Sequence, residues 1–306
     1  MKFDGNGDFS WILNNRKLSA LANFTSTQTN PNYSLSHLIL IKTRVLFEFT
    51  IRSILLVGKH KRALRQIRQT KNSCTGRKAI VFANGPSVNS LDLKNSVFRS
   101  EGIDVFVVNF FPLSKLASQI RPNCLVLSDP LTHPKIVSDK NQDLWEWVRN
   151  NPSVFLYVPT SWYEAFQNLP VSNKIAYFDD RCLIGWSKNI SPTRPRGYGS
   201  LTSYKALAIA CFAGYSRIGI IGFDNSQFRT VYTSPENRIF QKSHYFYDES
   251  RDLELTDSLH NGITDYFYDA SNTFSYLRMF NNFPIVNLDQ DSLADKFTKI
   301  NNLEDF

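Results

Sequence analysis

From residue 78 onward one pattern recurs: a short run of consecutive apolar residues, one or two polar residues, then a stretch of helical character. The first run is Ala79-Ile80-Val81-Phe82-Ala83, and others cover residues 104–109, 124–128, 154–158, 174–178, 217–221 and 284–287. Apolar runs without polar alternation fit strands buried on both faces, and intervening helices fit the crossovers of a parallel sheet. The pattern predicts an α/β domain over residues 78–306: a mostly parallel, single sheet with helices on both faces. Helices are expected over residues 202–213 and 265–282. Two long stretches, 179–200 and 222–255, break the rhythm and read as irregular lids or binding loops. No internal repeat is present.

Residues 1–77 have a different texture. The first 33 are rich in Asn, Ser and Thr, with no apolar core of a secretory signal. Residues 35–70 lack proline and read as helix. The chain carries a net charge of +8, yet residues 35–78 hold eleven Lys or Arg and one acid, Glu48, so this segment contributes +10 and the remainder −2. Lys42, Arg44, Glu48 and Arg52 interrupt the apolar stretch 38–57, which argues against a membrane-spanning helix. Apolar residues followed by Lys59, Lys61, Arg62, Arg65, Arg68 and Lys71 fit a peripheral anchor on an anionic membrane, over residues 35–71. The plainer reading is a helix packed on the main domain with a solvated basic face. The basic run has no interleaved aromatics, so nucleic acid is not expected as a partner. The apolar surface of 35–57 suits self-association as well as lipid.

A hydrophobic content of 42% excludes global disorder. Cys74, Cys124, Cys182 and Cys211 have no metal-ligand spacing. Cys124 and Cys211 sit in apolar runs and read as buried free thiols, as in a reducing compartment.

In an open parallel sheet, ligands bind beyond the carboxyl ends of the strands. The polar residues that close the apolar runs are therefore the binding candidates: Asn84, Ser87, Asn109, Ser128, Asp129 and Asp224. In Asn84-Gly85-Pro86-Ser87, Gly85 permits close backbone approach and a positive φ. Pro86 suits the first turn of a helix, and Ser87 with nearby N–H groups would face a phosphate. The loop is neither a dinucleotide-binding GxGxxG nor a Walker A loop. Arg194 and Arg196, on the long loop before residue 202, are candidates to clamp a donor carboxylate or phosphate.

The strand followed by Ala83-Asn84-Gly85-Pro86-Ser87 resembles the opening of the bacterial family-42 sialyltransferases, strand-Gly-Asn-Gly-Pro-Ser. The strand ending in Asn109, Thr202-Ser203 with its Ala-rich helix, Gly222-Phe223-Asp224 and Ser243-His244-Tyr245 follow in the family's order, over roughly residues 78–290. Flagellin-modifying transferases and a pterin diphosphokinase family share the opening. The resemblance implies a Rossmann-like, GT-A-variant domain that moves an acidic sugar (sialic acid, another nonulosonic acid or Kdo) from a CMP-sugar to a glycan, without metal or other cofactor. It implies that Asn84, Gly85, Pro86, Ser87, Asn109, Ser128, Asp129, Thr202, Ser203, Gly222 and Asp224 line the nucleotide site, and that Tyr232 meets the leaving phosphate. It implies a His general base: His244, with Asp248 as its partner or replacement, and His260 as the fallback. Asp129 stands where the family has Asn, and Asp248 where it has the basic His.

The expected partners are a nucleotide-sugar donor and a glycan or lipid-linked oligosaccharide acceptor, at the cytoplasmic face of the inner membrane. Two alternatives remain: a Mg²⁺-dependent diphosphokinase-like enzyme with Asp129 and Asp224 as ligands, and a non-catalytic nucleotide- or glycan-binding module.

Overall fold

The computed structural model describes residues 35–55, 59–90, 96–167, 169–184, 186–224, 226–243, 251–255, 263–290, 292–300 and 305–306. The helices are α1 (Leu35–Leu55), α2 (Lys59–Gln69), α3 (Ala117–Ile120), α4 (Asp139–Asn150), α5 (Tyr163–Phe166), α6 (Thr202–Ala213) and α7 (Ile263–Leu277). Eight strands make the main sheet: β1 (Lys78–Phe82), β2 (Ile103–Val108), β3 (Cys124–Val126), β4 (Phe155–Pro159), β5 (Ile175–Phe178), β6 (Arg217–Ile221), β10 (Ile285–Asn287) and β11 (Thr298–Lys299). Their order is β11-β10-β6-β1-β2-β3-β4-β5. Every neighbouring pair is parallel.

Side chains alternate across a strand, so each apolar run feeds two cores. Ala79, Val81, Phe106, Val108, Val126, Ile218 and Ile220 face one layer, against α6, α2 and Phe280. Ile80, Phe82, Val105, Val107, Leu125 and Leu156 face the other, against α4, Phe98 and Phe111. Helix α6 is buried nearly all round, as an almost wholly apolar helix should be. It ends at Gly214, whose φ of 79° closes the helix in the left-handed region.

The amino ends of the strands are tied together by one carboxylate. Asp104, at 5% exposure, accepts from Arg77 Nη2 at 2.6 Å, Asn123 Nδ2 at 2.5 Å and Tyr215 Oη at 2.6 Å. These residues precede β1, β3 and β6, so that end of the sheet is closed.

Two features differ from the sequence expectation. The stretch 222–255 is not wholly irregular: β7 (Val231–Thr233), β8 (Ile239–Ser243) and β9 (Arg251–Glu254) form a separate antiparallel sheet, so the domain does not have a single sheet. The helical stretch 35–70 is two helices. Leu64 and Ile67 of α2 belong to the same buried cluster as Ala79 and Val81, while Lys61, Arg62, Arg65 and Arg68 lie exposed. Helix α1 lies on the 179–200 loop: Arg181 Nη1 donates to Ser53 Oγ at 2.8 Å, and Trp186 Nε1 donates to the Lys42 carbonyl at 3.0 Å. No helix among the described residues is long and apolar enough to cross a membrane.

Because Ile67 is fully buried, Ile67→Ala is expected to cost about 2–5 kcal/mol in equilibrium unfolding, against under about 0.5 kcal/mol for the exposed Arg65→Ala. Equal, small effects would place α2 outside the core.

Candidate functional site

The chain lays down β1 to β5 in one direction, then returns through α6 to place β6 on the other side of β1. The reversal between β1 and β6 is a topological switch point, where a crevice opens at the carboxyl ends of the strands. Asn84-Gly85-Pro86-Ser87 and Gly222-Phe223-Asp224 both stand at it. Their backbones stay paired beyond the strands: Ala83 N donates to Ile221 O at 2.8 Å and Gly85 N to Gly222 O at 3.0 Å. A Cβ on Gly85 would lie 2.3 Å from Asp224 Oδ2 and 2.5 Å from Gly222 O. Gly85 is therefore required by a neighbour in the chain. It does not occupy the left-handed region, which Gly222 does, at φ 72°.

Residues Pro86–Ser90 form a 3₁₀ turn and not the first turn of an α-helix. The Ser87 N–H, expected to face a phosphate, donates to Asp224 Oδ2 at 2.9 Å. The Ser87 hydroxyl lies in hydrogen-bond contact with both Asp224 and Asp289. One hydroxyl carries one proton, so the two carboxyls compete for a single donor. Burial pushes the Asp224 carboxyl above the ordinary range against the pull of its Ser87 bonds, and Asp289 adds to the push.

A second cluster stands at the ends of β2 and β3. Asn109 takes the left-handed conformation, φ 50°, directly after β2. Its Oδ1 accepts from the Ser128 and Asp129 N–H groups, each at 3.2 Å, and its Nδ2 donates to Thr202 Oγ1 at 3.1 Å. One side chain thus stitches two strand ends to the start of α6. Ser128 Oγ lies 2.6 Å from Thr202 Oγ1 and accepts from Lys205 Nζ at 3.0 Å. Either hydroxyl can donate to the other, so the pair uses one proton between them and keeps the second for another acceptor. Asp129 is turned away: its Oδ1 accepts from Leu131 N at 3.0 Å and caps a short turn.

Lys205 is 6% exposed and Arg196 likewise. Burial, reinforced by the nearby Arg196 charge, lowers the Lys205 pKa to about 7, despite offsetting contributions from Asp180 and Asp129. Arg196 donates through Nη1 to the Asp180 carbonyl at 2.6 Å, and its buried Nε has no hydrogen-bond partner among the described residues. Two buried basic side chains, with the Asp180 and Asp129 carboxylates in range, stand beside three neutral hydrogen-bonding side chains.

The structure thus brings Asn84, Gly85, Pro86, Ser87, Gly222 and Asp224 to one point, and Asn109, Ser128, Asp129, Thr202 and Arg196 to another. It does not bring Arg194 to Arg196: Arg194 is exposed and lines a different cavity with Arg68 and Lys71. Ser203 lies in the first turn of α6. Tyr232 is on β7, 42% exposed and stacked on Phe240 at 5.6 Å. His244, Asp248 and His260 lie outside the described residues. Among the described residues no group of three or more His, Cys, Asp or Glu is arranged to hold a metal.

Lys205 and Asp289 are the residues that sequence reasoning missed. Lys205 is the only charge in the helix Thr202–Ala213, a signal in itself. Asp289 follows β10 as Asp224 follows β6.

No family model and no curated protein matches the sequence. Among solved structures, the chain is similar to the MAf glycosyltransferase from Magnetospirillum magneticum AMB-1, with 12% identity and a TM-score of 0.43, over 90% of this chain and 43% of that one. The chain spans less than half the length of that protein.

Folding favours the protonated form of Asp224, so its stabilising contribution is complete below about pH 3.9 and is lost as pH rises through the raised folded value. Asp224→Asn, which mimics the protonated carboxyl, is expected to melt roughly 2–4 °C above the unsubstituted protein at pH 7, equivalent to ~1 kcal/mol. The gap should close as pH falls toward 4. A constant gap across a pH series of melting curves would show that folding does not raise the Asp224 carboxyl.

Proposed function

We propose that the chain is a glycosyltransferase whose donor, a CMP-activated acidic sugar, lies across the carboxyl ends of β6, β1, β2 and β3. The observation that carries this reading is the pair of buried cations, Arg196 and Lys205, beside Asn109, Ser128 and Thr202. A nucleotide-sugar donor offers a phosphate and sugar hydroxyls, and a nonulosonic acid adds a carboxylate. Neutral donors and two cations suit that set. As the bond from the sugar carbon to the phosphate oxygen breaks, negative charge grows on the departing CMP phosphate. Protonated Lys205, the Arg196 Nε–H and the Ser128 hydroxyl stabilise that charge with no reorganisation of water. The acceptor hydroxyl loses its proton to His244, supported by Asp248, and Tyr232 meets the leaving phosphate; these three roles rest on the family resemblance alone.

The acceptor is a glycan or lipid-linked oligosaccharide at the cytoplasmic face of the inner membrane. In support, Ile39, Leu46, Phe47 and Ile54 are all exposed on α1 and fall on one stripe about 100° wide at 3.6 residues per turn. Thr43 and Thr50 share the stripe and fold their hydroxyls onto the Ile39 and Leu46 carbonyls, at 2.8 and 2.7 Å. Such a stripe suits the surface of an anionic bilayer, or a second copy of the chain.

The Mg²⁺-dependent alternative has one observation in its favour. Asp224 and Asp289 converge on Ser87 at the switch point, where a divalent cation held by both would meet a nucleotide diphosphate. Asp129, the ligand expected from the sequence, is not part of that pair.

The test is the melting temperature with CMP, CDP, UDP, GDP and ATP, each with and without Mg²⁺. CMP or CDP is expected to stabilise the protein without metal. Lys205→Met should abolish most of that shift without lowering the melting temperature of the free protein, and should reduce kcat/KM with a CMP-sugar roughly a hundred- to a thousandfold. Stabilisation only by ATP or GDP with Mg²⁺ would sink this reading in favour of the diphosphokinase-like one, and no stabilisation by any nucleotide would sink both.

A further inference from the structure

A cavity of about 590 Å³ lies apart from the crevice, between the end of α2, the loop after β5 and the last turn of α6. Its lining is Arg68, Lys71, Ser191, Thr193, Arg194 and Phe212. Three of the six are cations, two are hydroxyls and none is an acid. No carboxylate among the described residues forms an ion pair with Arg68, Lys71 or Arg194. The sequence explains why. Residues 49–91 contain no Asp or Glu, nor do residues 181–223, and these two stretches build the whole cavity. The positive field is therefore not cancelled by the segments that create it.

The walls are fixed. Asn72 N donates to Phe212 O at 3.1 Å and Cys74 N to Ala213 O at 3.0 Å, which fastens the turn after α2 to the end of α6. Asn189 Nδ2 is placed to donate to the Ser191, Arg194 and Pro195 carbonyls, which holds the loop in shape. The Ser191 and Thr193 hydroxyls lie 3.0 Å apart, so together they present one free proton beside the cations.

We propose that this cavity binds the phosphate of a phosphomonoester or diphosphate, at a site separate from the donor crevice. Two guanidinium forks, one ammonium and a hydroxyl offer more donors than a single carboxylate has lone pairs to accept, and they match the terminal oxygens of a phosphate or diphosphate. The volume lies within the range of small-molecule pockets and exceeds what a phosphate fills. The rest of the ligand lies against the Phe212 ring. The ligand is either a soluble phosphate ester or the headgroup of a phospholipid, and both present the same group to Arg68, Lys71 and Arg194.

The test titrates the full-length protein with inorganic pyrophosphate by calorimetry and measures co-sedimentation with phosphatidylcholine vesicles with and without phosphatidic acid. Arg68→Gln/Lys71→Gln and, separately, Arg194→Gln remove cavity charge at exposed positions. Lys61→Gln/Arg62→Gln removes equal charge from α2 outside the cavity. The expected result is saturable pyrophosphate binding weakened at least tenfold by either cavity variant and less than twofold by the control. Phosphatidic-acid-dependent sedimentation with the same variant pattern, without pyrophosphate binding, would assign the site to a lipid headgroup. Absence of both, or equal loss in the control, overturns the proposal. The CMP response of the same samples reports on the donor crevice, so the two readings fail independently.

Discussion

The ends of β1 and β6 touch backbone to backbone, and the geometry of the crevice depends on that contact. Gly85 and Gly222 have no side chains to hold the two turns apart, so the backbone pairing runs past the strand ends as far as these two glycines. This brings Ser87 within reach of Asp224 across 137 positions of sequence. It also draws in Asp289 from the next strand outward. A side chain at Gly85 would meet the Asp224 carboxylate and the Gly222 carbonyl at once, neither of which can retreat without opening the sheet. The amino ends of the same strands are tied by Asp104 and its partners. One end of the sheet is thus closed by a satisfied carboxylate, and the other remains available for ligand.

The open end is electrically divided. At the ends of β6 and β10 two carboxyls meet at the Ser87 hydroxyl; on α6 and the loop after β5 two basic side chains lie buried, and burial lowers the Lys205 pKa to about 7. Neighbouring strands lie about 4.8 Å apart, so the ends of β6 and β3 are roughly 14 Å from one another. Charge of one sign at each end of such a span suits an extended ligand with distinct ends more than a single sugar. Burial drives both groups toward neutrality, from opposite sides, and a bound anion would restore the charge on Lys205.

Much of this was legible from residue order. All seven apolar runs became strands, and β6 spans the residues expected of it. Three others are shifted by one residue (78–82, 103–108 and 155–159) and three are shorter by one or two; Asn109 and Ser128 leave the ladder to hydrogen-bond across strands. The small sheet escaped notice because Ile239–Ser243 and Arg251–Glu254 carry Gln, Lys, Arg, Asp and Glu and no clear alternation. Strand β11 has two residues, too few for any periodicity. The strand-end rule placed Asn84, Asn109, Ser128 and Asp224 just beyond the carboxyl ends of their strands, where they lie. It gave the wrong reason for Gly85 and Ser87, because it assigned to a ligand the contacts that the chain makes with itself. No local pattern shows that Ser87 and Asp289 meet; that follows only from the placement of β10 beside β6.

Arg196 and Lys205 are held where they repel, out of water, with one guanidinium nitrogen unpartnered among the described residues. Nothing in the packing of α6 requires a cation at position 205, since its neighbours in the helix are almost all apolar and a Met of similar length would fill the space. A charge that weakens the free protein and is not needed for the fold is intelligible if an anion relieves it. The two-faced core supplies the stability against which that strain is set. Side chains that make the free protein less stable than it need be are therefore the ones on which the proposed ligand recognition rests.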